Sequence, residues 1–155
     1  LFFMISKLDE KDWVILNHLQ RNARLSLTEL SRTAGLSAPT VSDRIAKMEQ
    51  EEVLTGYQAS VSYIKAGYQL KAMVMLRVFM GKLPPFLEVV KSFPEVLNCY
   101  RITGNENIIM EVVLEDQFHL ERFIDKMIKY GETRTHIILS EVVSNAPIQP
   151  KTKSR

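Results

Sequence analysis

The sequence predicts an α+β chain of two small domains, a helix-turn-helix followed by a ferredoxin-like βαββαβ domain. Three observations carry this reading. Up to about residue 50 the apolar positions recur at helical spacing, and the turn Gly35-Leu36-Ser37 separates two short helices. From about residue 71 the pattern switches to alternation, interrupted by two helical stretches. That second half also repeats itself: its helices start near 84 and 118 and its strands near 73 and 108. The domains are expected at 1–60 and 71–146, with a linker at 61–70 and a disordered basic tail at 147–155.

Each element has a local cause. Asp9 is placed to cap a first helix, with Asp12 three residues on, and Ile15, Leu16 and Leu19 form its apolar stripe. Ser26 and Glu29 form a capping-box pair that opens a second helix. Leu27, Leu30 and Ala34 give that helix an inner face, and Gly35 can supply the positive φ that ends it. Ser37 caps a third helix with Pro39 in its first turn, where no intrahelical bond is lost. Val41, Ile45 and Met48 face inward, Leu36 plugs the turn, and the helix runs to about Gln50.

Val53 to Ala59 reads as a short strand pair around Gly56, and Ile64 to Gly67 as a helical turn. Further strands are expected at 72–80, 96–103, 108–114 and 133–143. Helices are expected at 84–92, after Pro84-Pro85, and at 118–128. Helices on one face of such a sheet leave the other face for a partner chain to cover.

Composition narrows the classes. The chain has 155 residues, 46% apolar and 25% charged, which excludes disorder, collagen and low complexity. The lone Cys99 allows no internal disulfide and no cysteine zinc site. It reads as a small buried hydrophobe in a reducing compartment. The longest uncharged run, Val53 to Ile64, falls short of the roughly 20 apolar residues of a membrane helix. The apolar start, Leu1 to Ser6, lacks the basic n-region of a signal peptide, and Met4 reads as the natural initiator. A cytoplasmic protein without membrane contact is expected.

The net charge of +2 hides a pattern. Between 21 and 47, Arg21, Arg24, Arg32, Arg44 and Lys47 face only Glu29 and Asp43, a local +3. The last five residues, Lys-Thr-Lys-Ser-Arg, add another +3.

The joint order and spacing of several short pieces resembles the Lrp/AsnC, or feast/famine, family of prokaryotic transcription regulators. The pieces are Leu8-Asp9-x-x-Asp12-x-x-Ile15-Leu16-x-x-Leu19-Gln20, Arg24-Leu25-Ser26, Glu29-Leu30 and Gly35-Leu36-Ser37. Pro39-x-Val41-x-x-Arg44-Ile45-x-x-Met48-Glu49 and Gly56-Tyr57 follow. The second half adds Phe93-Pro94-Glu95-Val96, Cys99-Tyr100, Thr103-Gly104, Thr133-Arg134-Thr135 and Glu141-Val142. The resemblance implies a winged helix-turn-helix, a ferredoxin-like domain for ligand binding and oligomerisation, and binding to double-stranded promoter DNA. It also implies dimers, often assembled as an octamer of four dimers, and an amino-acid or related effector held between subunits.

The third helix is the expected reader, since an α-helix fits the major groove and its N-terminal residues reach base edges. The candidate contacts are Ser37, Ala38, Pro39, Thr40, Ser42, Asp43, Arg44 and Lys47, with Arg24 from the family position. Arg44 can grip a guanine or a phosphate, whereas Asp43 can only accept from cytosine or point aside. The plainer reading of the same residues is an exposed helix in a helical hairpin. Arg21, Arg24, Arg32 and Lys47 read either as phosphate contacts or as solvated charges, and Tyr57 either as wing support or as a buried stacking residue.

Gly104-Asn105-Glu106-Asn107 stands at the family's Gly-Asp-x-Asp loop. Asn105 and Asn107 replace both acids, so charge-assisted recognition of an ammonium group would be lost, and the loop reads either as an effector contact or as a tight turn with no ligand. By the resemblance, Thr133, Thr135 and His136 lie opposite, as effector contacts or as strand residues at a dimer contact. The histidines share no metal-ligand spacing, and no nucleophile, Walker or dinucleotide motif occurs, so neither a metal, a cofactor nor catalysis is expected. An architectural DNA-bending protein without an effector shares the DNA-binding features.

Overall fold

A computed structural model describes residues 7–151. Leu1 to Ser6, including Met4, and the last four residues of the basic tail lie outside the described residues. The chain forms two compact units, one from residues up to Ala59 together with Val143 onward, the other from Ser60–Val142.

In the first unit, helices α1 (Glu10–Arg21), α2 (Leu27–Ala34) and α3 (Ala38–Gln50) surround a core of Ile15, Leu16, Leu19, Leu30, Ala34, Val41 and Met48. Leu36 and Ile45 pack against it. The predicted ends hold. Asp9 and Asp12 form a capping box on α1, and Ser26 and Glu29 form one on α2. Gly35 closes α2 at φ 64°, in the left-handed region.

The strand pair expected around Gly56 is absent. Instead the N–H groups of Val53 and Leu54 both donate to the Met48 carbonyl, finishing α3, and both side chains pack on the helical core. An isolated two-stranded hairpin has too little to bury to stand alone. Tyr57 anchors the segment by donating its hydroxyl to Glu49 at 2.8 Å. Burial, and then the Glu49 carboxylate, push this phenol up to about 12.

In the second unit, Ser62–Tyr68 forms a hydrogen-bonded turn ahead of β1 (Leu70–Val78), where the sequence places the helical turn. Then come α4 (Leu83–Val89), a 3₁₀ turn (Val90–Ser92), β2 (Val96–Arg101), β3 (Ile108–Leu114), α5 (Gln117–Met127) and β4 (Gly131–Ile137). The sheet is antiparallel in the order β2-β3-β1-β4. One face packs Ala72, Val74, Leu76, Ile108, Met110, Val112 and Leu114 against Phe86, Val90, Phe123 and Met127 of the helical layer. By the alternation of strands, Met73, Met75 and Ile109 point to the other face.

Two strands differ from expectation. Strict alternation in β2 is broken by a bulge at Leu97, because Val96 pairs with Val112 but Asn98 with Glu111. Val96 and Cys99 therefore share the core side. Cys99 is half-buried there, and burial pushes its thiol up, away from reactivity. Strand β4 ends at Ile137 rather than 143: Ile137 pairs with Ala72, the Ile138 N–H makes a last bond to Lys71, and β1 itself begins one residue beyond, at Leu70. Glycine at 131 is obligatory, since a Cβ there would lie 2.2 Å from the Arg77 carbonyl oxygen.

Glu95 is the one buried charged residue among those described. It accepts from Lys126 at 2.6 Å and lies 3.2 Å from His119. Burial works to raise its pKa, and Lys126, the Glu95 backbone N–H and His119 together hold it below the ordinary carboxylate value.

Candidate nucleic-acid interface

The Ser37 hydroxyl accepts from the Thr40 N–H at 3.3 Å and pairs with the Thr40 hydroxyl at 2.7 Å, which fixes the first turn of α3. Since Val41 and Met48 are buried, Ser37, Pro39, Thr40, Ser42, Asp43 and Lys47 are left exposed, with Ala38 half-buried. Lys47 reaches Glu51 only loosely, at 3.8 Å, so its ammonium is available to a phosphate. Arg24 is exposed in the turn before α2, where its backbone N–H donates to Asn22. It stands just before the α2 N-terminus, which the Ser26–Glu29 capping box closes.

Arg44, expected in the reader set, is engaged within the chain. Its Nη1 lies 2.7 Å from both Asp9 and Asp12, so the guanidinium bridges α3 to the start of α1. Asp12 in turn accepts the Asp9 N–H, which makes the capping box and the ion pairs one closed network. The hydrogen bond from the Asp12 backbone, then Arg44, hold the Asp9 carboxyl below the ordinary range. Arg44 is itself held above the usual arginine value, by Asp9 first and then Asp12. A second tie was also invisible in the sequence: Lys11 donates to the Ala34 carbonyl at 2.5 Å, closing the C-terminus of α2 from α1.

The loop Gly104–Asn107 sits at one end of the sheet. Asn107 serves the sheet itself: its Oδ1 accepts the Val78 N–H at 3.0 Å, and its own N–H donates to Leu76. Glu106 reaches Arg134 at 3.0 Å. Asn105 is exposed. Thr133 and Thr135 pair with Leu76 and Val74 and so face the helical side, whereas His136 pairs with Met73 and faces the other. Within one chain, then, Thr133 and Thr135 do not share a sheet face with His136. Among the described residues no cluster of His, Cys, Asp and Glu could hold a metal ion, and no helix is long and apolar enough to cross a membrane.

Residues 8–49, the three helices with their Asp9–Asp12–Arg44 network, match the AsnC-type helix-turn-helix domain. Residues 71–148 match the Lrp/AsnC ligand binding domain. The chain belongs to the Lrp/AsnC family of transcriptional regulators. Relatives of the Lrp/AsnC family in Bacillus subtilis include the regulator YezC, 36% identical over 86% of this chain and 94% of that protein. The B. subtilis regulator LrpC is 32% identical over 88% of this chain and 94% of its own length.

The solved structure of B. subtilis LrpC covers 90% of this chain and 99% of that one, at 31% identity and a TM-score of 0.86. Escherichia coli AsnC covers 94% of this chain and all of that one, at 27% identity and a TM-score of 0.82. The Lrp/AsnC family is one of DNA-binding regulators, not enzymes, in keeping with the absence of catalytic motifs from the sequence.

Proposed function

We propose that this Lrp/AsnC regulator reads promoter DNA with the exposed face of α3, works as a symmetric oligomer, and answers to an amino acid or a related metabolite. The observation that carries the first part is the polar face of Ser37, Thr40, Ser42, Asp43 and Lys47 opposite buried Val41 and Met48. Hydroxyls at the start of α3 suit base edges and phosphates, while Lys47 and Arg24 suit phosphates. Arg44 holds the reader in place. A promoter footprint tests this, with Thr40→Ala and Ser42→Ala expected to blur it. Lys47→Ala is expected to weaken binding to all sequences alike and to lower the salt slope by about one unit, read from titrations at several salt concentrations.

The sheet face that carries Met73, Met75 and Ile109, opposite the helical layer, supports a dimer through that face, and the family resemblance supports an octamer of four dimers. With the +3 of residues 21–47 partly offset by the acids that Arg44 engages, one module is a weak binder, so several copies on one DNA raise affinity through multivalency. Promoter binding puts the protein in the cytoplasm.

For the effector, Gly104 and Asn105 with Thr133, Thr135 and His136 are the proposed contacts, the two sides brought together by different subunits. Asn107 is committed to Val78 and shapes the loop. Amide groups in place of carboxylates favour a ligand whose recognition rests on neutral hydrogen bonds. Titration calorimetry with the twenty amino acids and their uncharged derivatives is expected to show binding weaker than micromolar for the free amino acids, and micromolar binding of any of these would overturn the neutral-contact reading. The match to a ligand-binding domain speaks against the purely architectural alternative.

A further inference from the structure

Strand β4 is an edge of the sheet: among the described residues only β1 pairs with it. The other edge, β2, is bent by its bulge at Leu97, a common device for keeping an edge from pairing. Strand β4 has no such device. Its register with β1 is unbroken from Gly131 to Ile137, and no proline interrupts it.

The backbone groups on the free side follow from those on the bound side. The Ile138 N–H donates to Lys71 and the Tyr130 carbonyl accepts from Phe79, so the even-numbered residues from 130 to 138 turn toward β1. Gly131, Thr133, Thr135 and Ile137 therefore turn their N–H and C=O groups outward.

Symmetry and charge limit what can add there. When two copies of one strand pair antiparallel, outward-turned residues must meet each other, so the two-fold axis passes through a residue. An axis at Glu132 or Arg134 sets like charges face to face, and one at Thr135 gives Arg134 no carboxylate to meet. Axes nearer either end leave most of β4 unpaired. An axis at Thr133 pairs Thr133 with its own copy, Gly131 with Thr135, and Glu132 with Arg134 on both sides. The Glu132 and Arg134 side chains are 64% and 65% exposed. Arg134 meets Glu106 through Nη1, which leaves its guanidinium further donors for a second carboxylate.

We propose that a second copy of this chain adds to the free edge of β4, antiparallel and centred on Thr133, and that this contact joins dimers into the larger assembly. The proposal rests on the reading of the chain as a symmetric oligomer whose dimer forms through the sheet face. The edge offers backbone hydrogen bonds and exposed ion pairs but little apolar surface, so it is weak alone. It acts between protomers already joined through the sheet face, where several edges engage at once.

Light scattering of the full chain, with cysteine variants under mild oxidation, tests this. The parent is expected to exceed a dimer. Glu132→Arg and Arg134→Glu each set like charges across the axis, and each is expected to lower the mass to that of a dimer. The two changes combined restore opposite charges and are expected to restore the parent's mass. Within one protomer the combined variant still opposes Arg77 and Glu106 with like charges, so recovery reports the contact between copies. Thr133→Cys is expected to form a disulfide-linked pair, since a hydrogen-bonded antiparallel pair has its Cα atoms about 5.5 Å apart, within disulfide range. Thr135→Cys is expected to stay reduced, because its copy lies four residues, about 13 Å, further along. The parent, with Cys99 alone, is the control.

A parent no larger than a dimer overturns the proposal and leaves the sheet-face dimer intact. Single reversals that keep the parent's mass, or a combined variant as small as either, overturn it as well. Equal linkage at positions 133 and 135, or none at 133, overturns the register. A monomeric parent overturns the oligomer reading, and this proposal with it.

Discussion

Arg44→Ala is expected to destabilise the helical unit and to weaken DNA binding through that loss, leaving the preferred DNA sequence unchanged. Two charge-assisted hydrogen bonds disappear, and Asp9 and Asp12 lose the cation between them. The bond to the more buried Asp12 alone is worth about 1–2 kcal/mol, after discounting the usual value for the partial exposure of Arg44. That is a large share of the stability of a unit this small. Urea denaturation of the full chain, followed by a helical signal, reads the loss. Selection of binding sites from random duplexes reads the preference. A variant of unchanged stability whose preference relaxes at one base position would return Arg44 to the reader.

The same network predicts a pH dependence. The Asp9 carboxyl sits below its ordinary value in the folded state, so its stabilisation is present above the ordinary carboxylate range and is lost as pH falls through the folded value. Arg44→Ala removes part of that depression. The stability gap between parent and variant should therefore be widest near neutrality and narrow in acid, below about pH 4. A gap that stays constant into acid would show that Arg44 acts through packing alone.

What the sequence revealed, and what it concealed, follows from the range of the interactions concerned. The ends of α1, α2 and α3 were legible because Asp9 with Asp12, Ser26 with Glu29 and Ser37 with Thr40 act over three residues. Strand β3 was legible because it is central and bounded by a turn and a helix cap. The partners of Arg44 were not legible because they lie 32 and 35 residues away, and helical spacing alone shows only that it does not point into the core.

The strands expected around Gly56 failed because a β pattern says nothing about whether a partner is present. The bulge at Leu97 and the early end of β4 depend on the register and length of neighbouring strands. The effector residues rested on resemblance alone. One chain separates them because Thr135 and His136, adjacent in a strand, must point to opposite faces. The contact between Gln20 and Ile148 was out of reach of the sequence as well, since it spans 128 residues.

The second large effect is expected at the sheet face. Ile109 lies there between Tyr100 of β2 and Met75 of β1, with Glu111 two residues along the same strand. A lysine in its place finds an aromatic ring and a carboxylate within one protomer, so Ile109→Lys should fold. The core on the other face, around Phe86 and Phe123, is untouched. If two such faces pack together, however, each protomer brings an ammonium into a dry contact, at a cost of several kcal/mol per ion. The dimer dissociation constant should then rise by at least about a thousandfold, which light scattering would read as monomer. Loss of multivalency should in turn weaken promoter binding by about a hundredfold or more, while a single module keeps its weak, salt-sensitive affinity. A folded Ile109→Lys variant that keeps the parent's mass would place the dimer contact elsewhere, and one that turns monomeric yet binds the promoter as tightly would break the link between assembly and affinity.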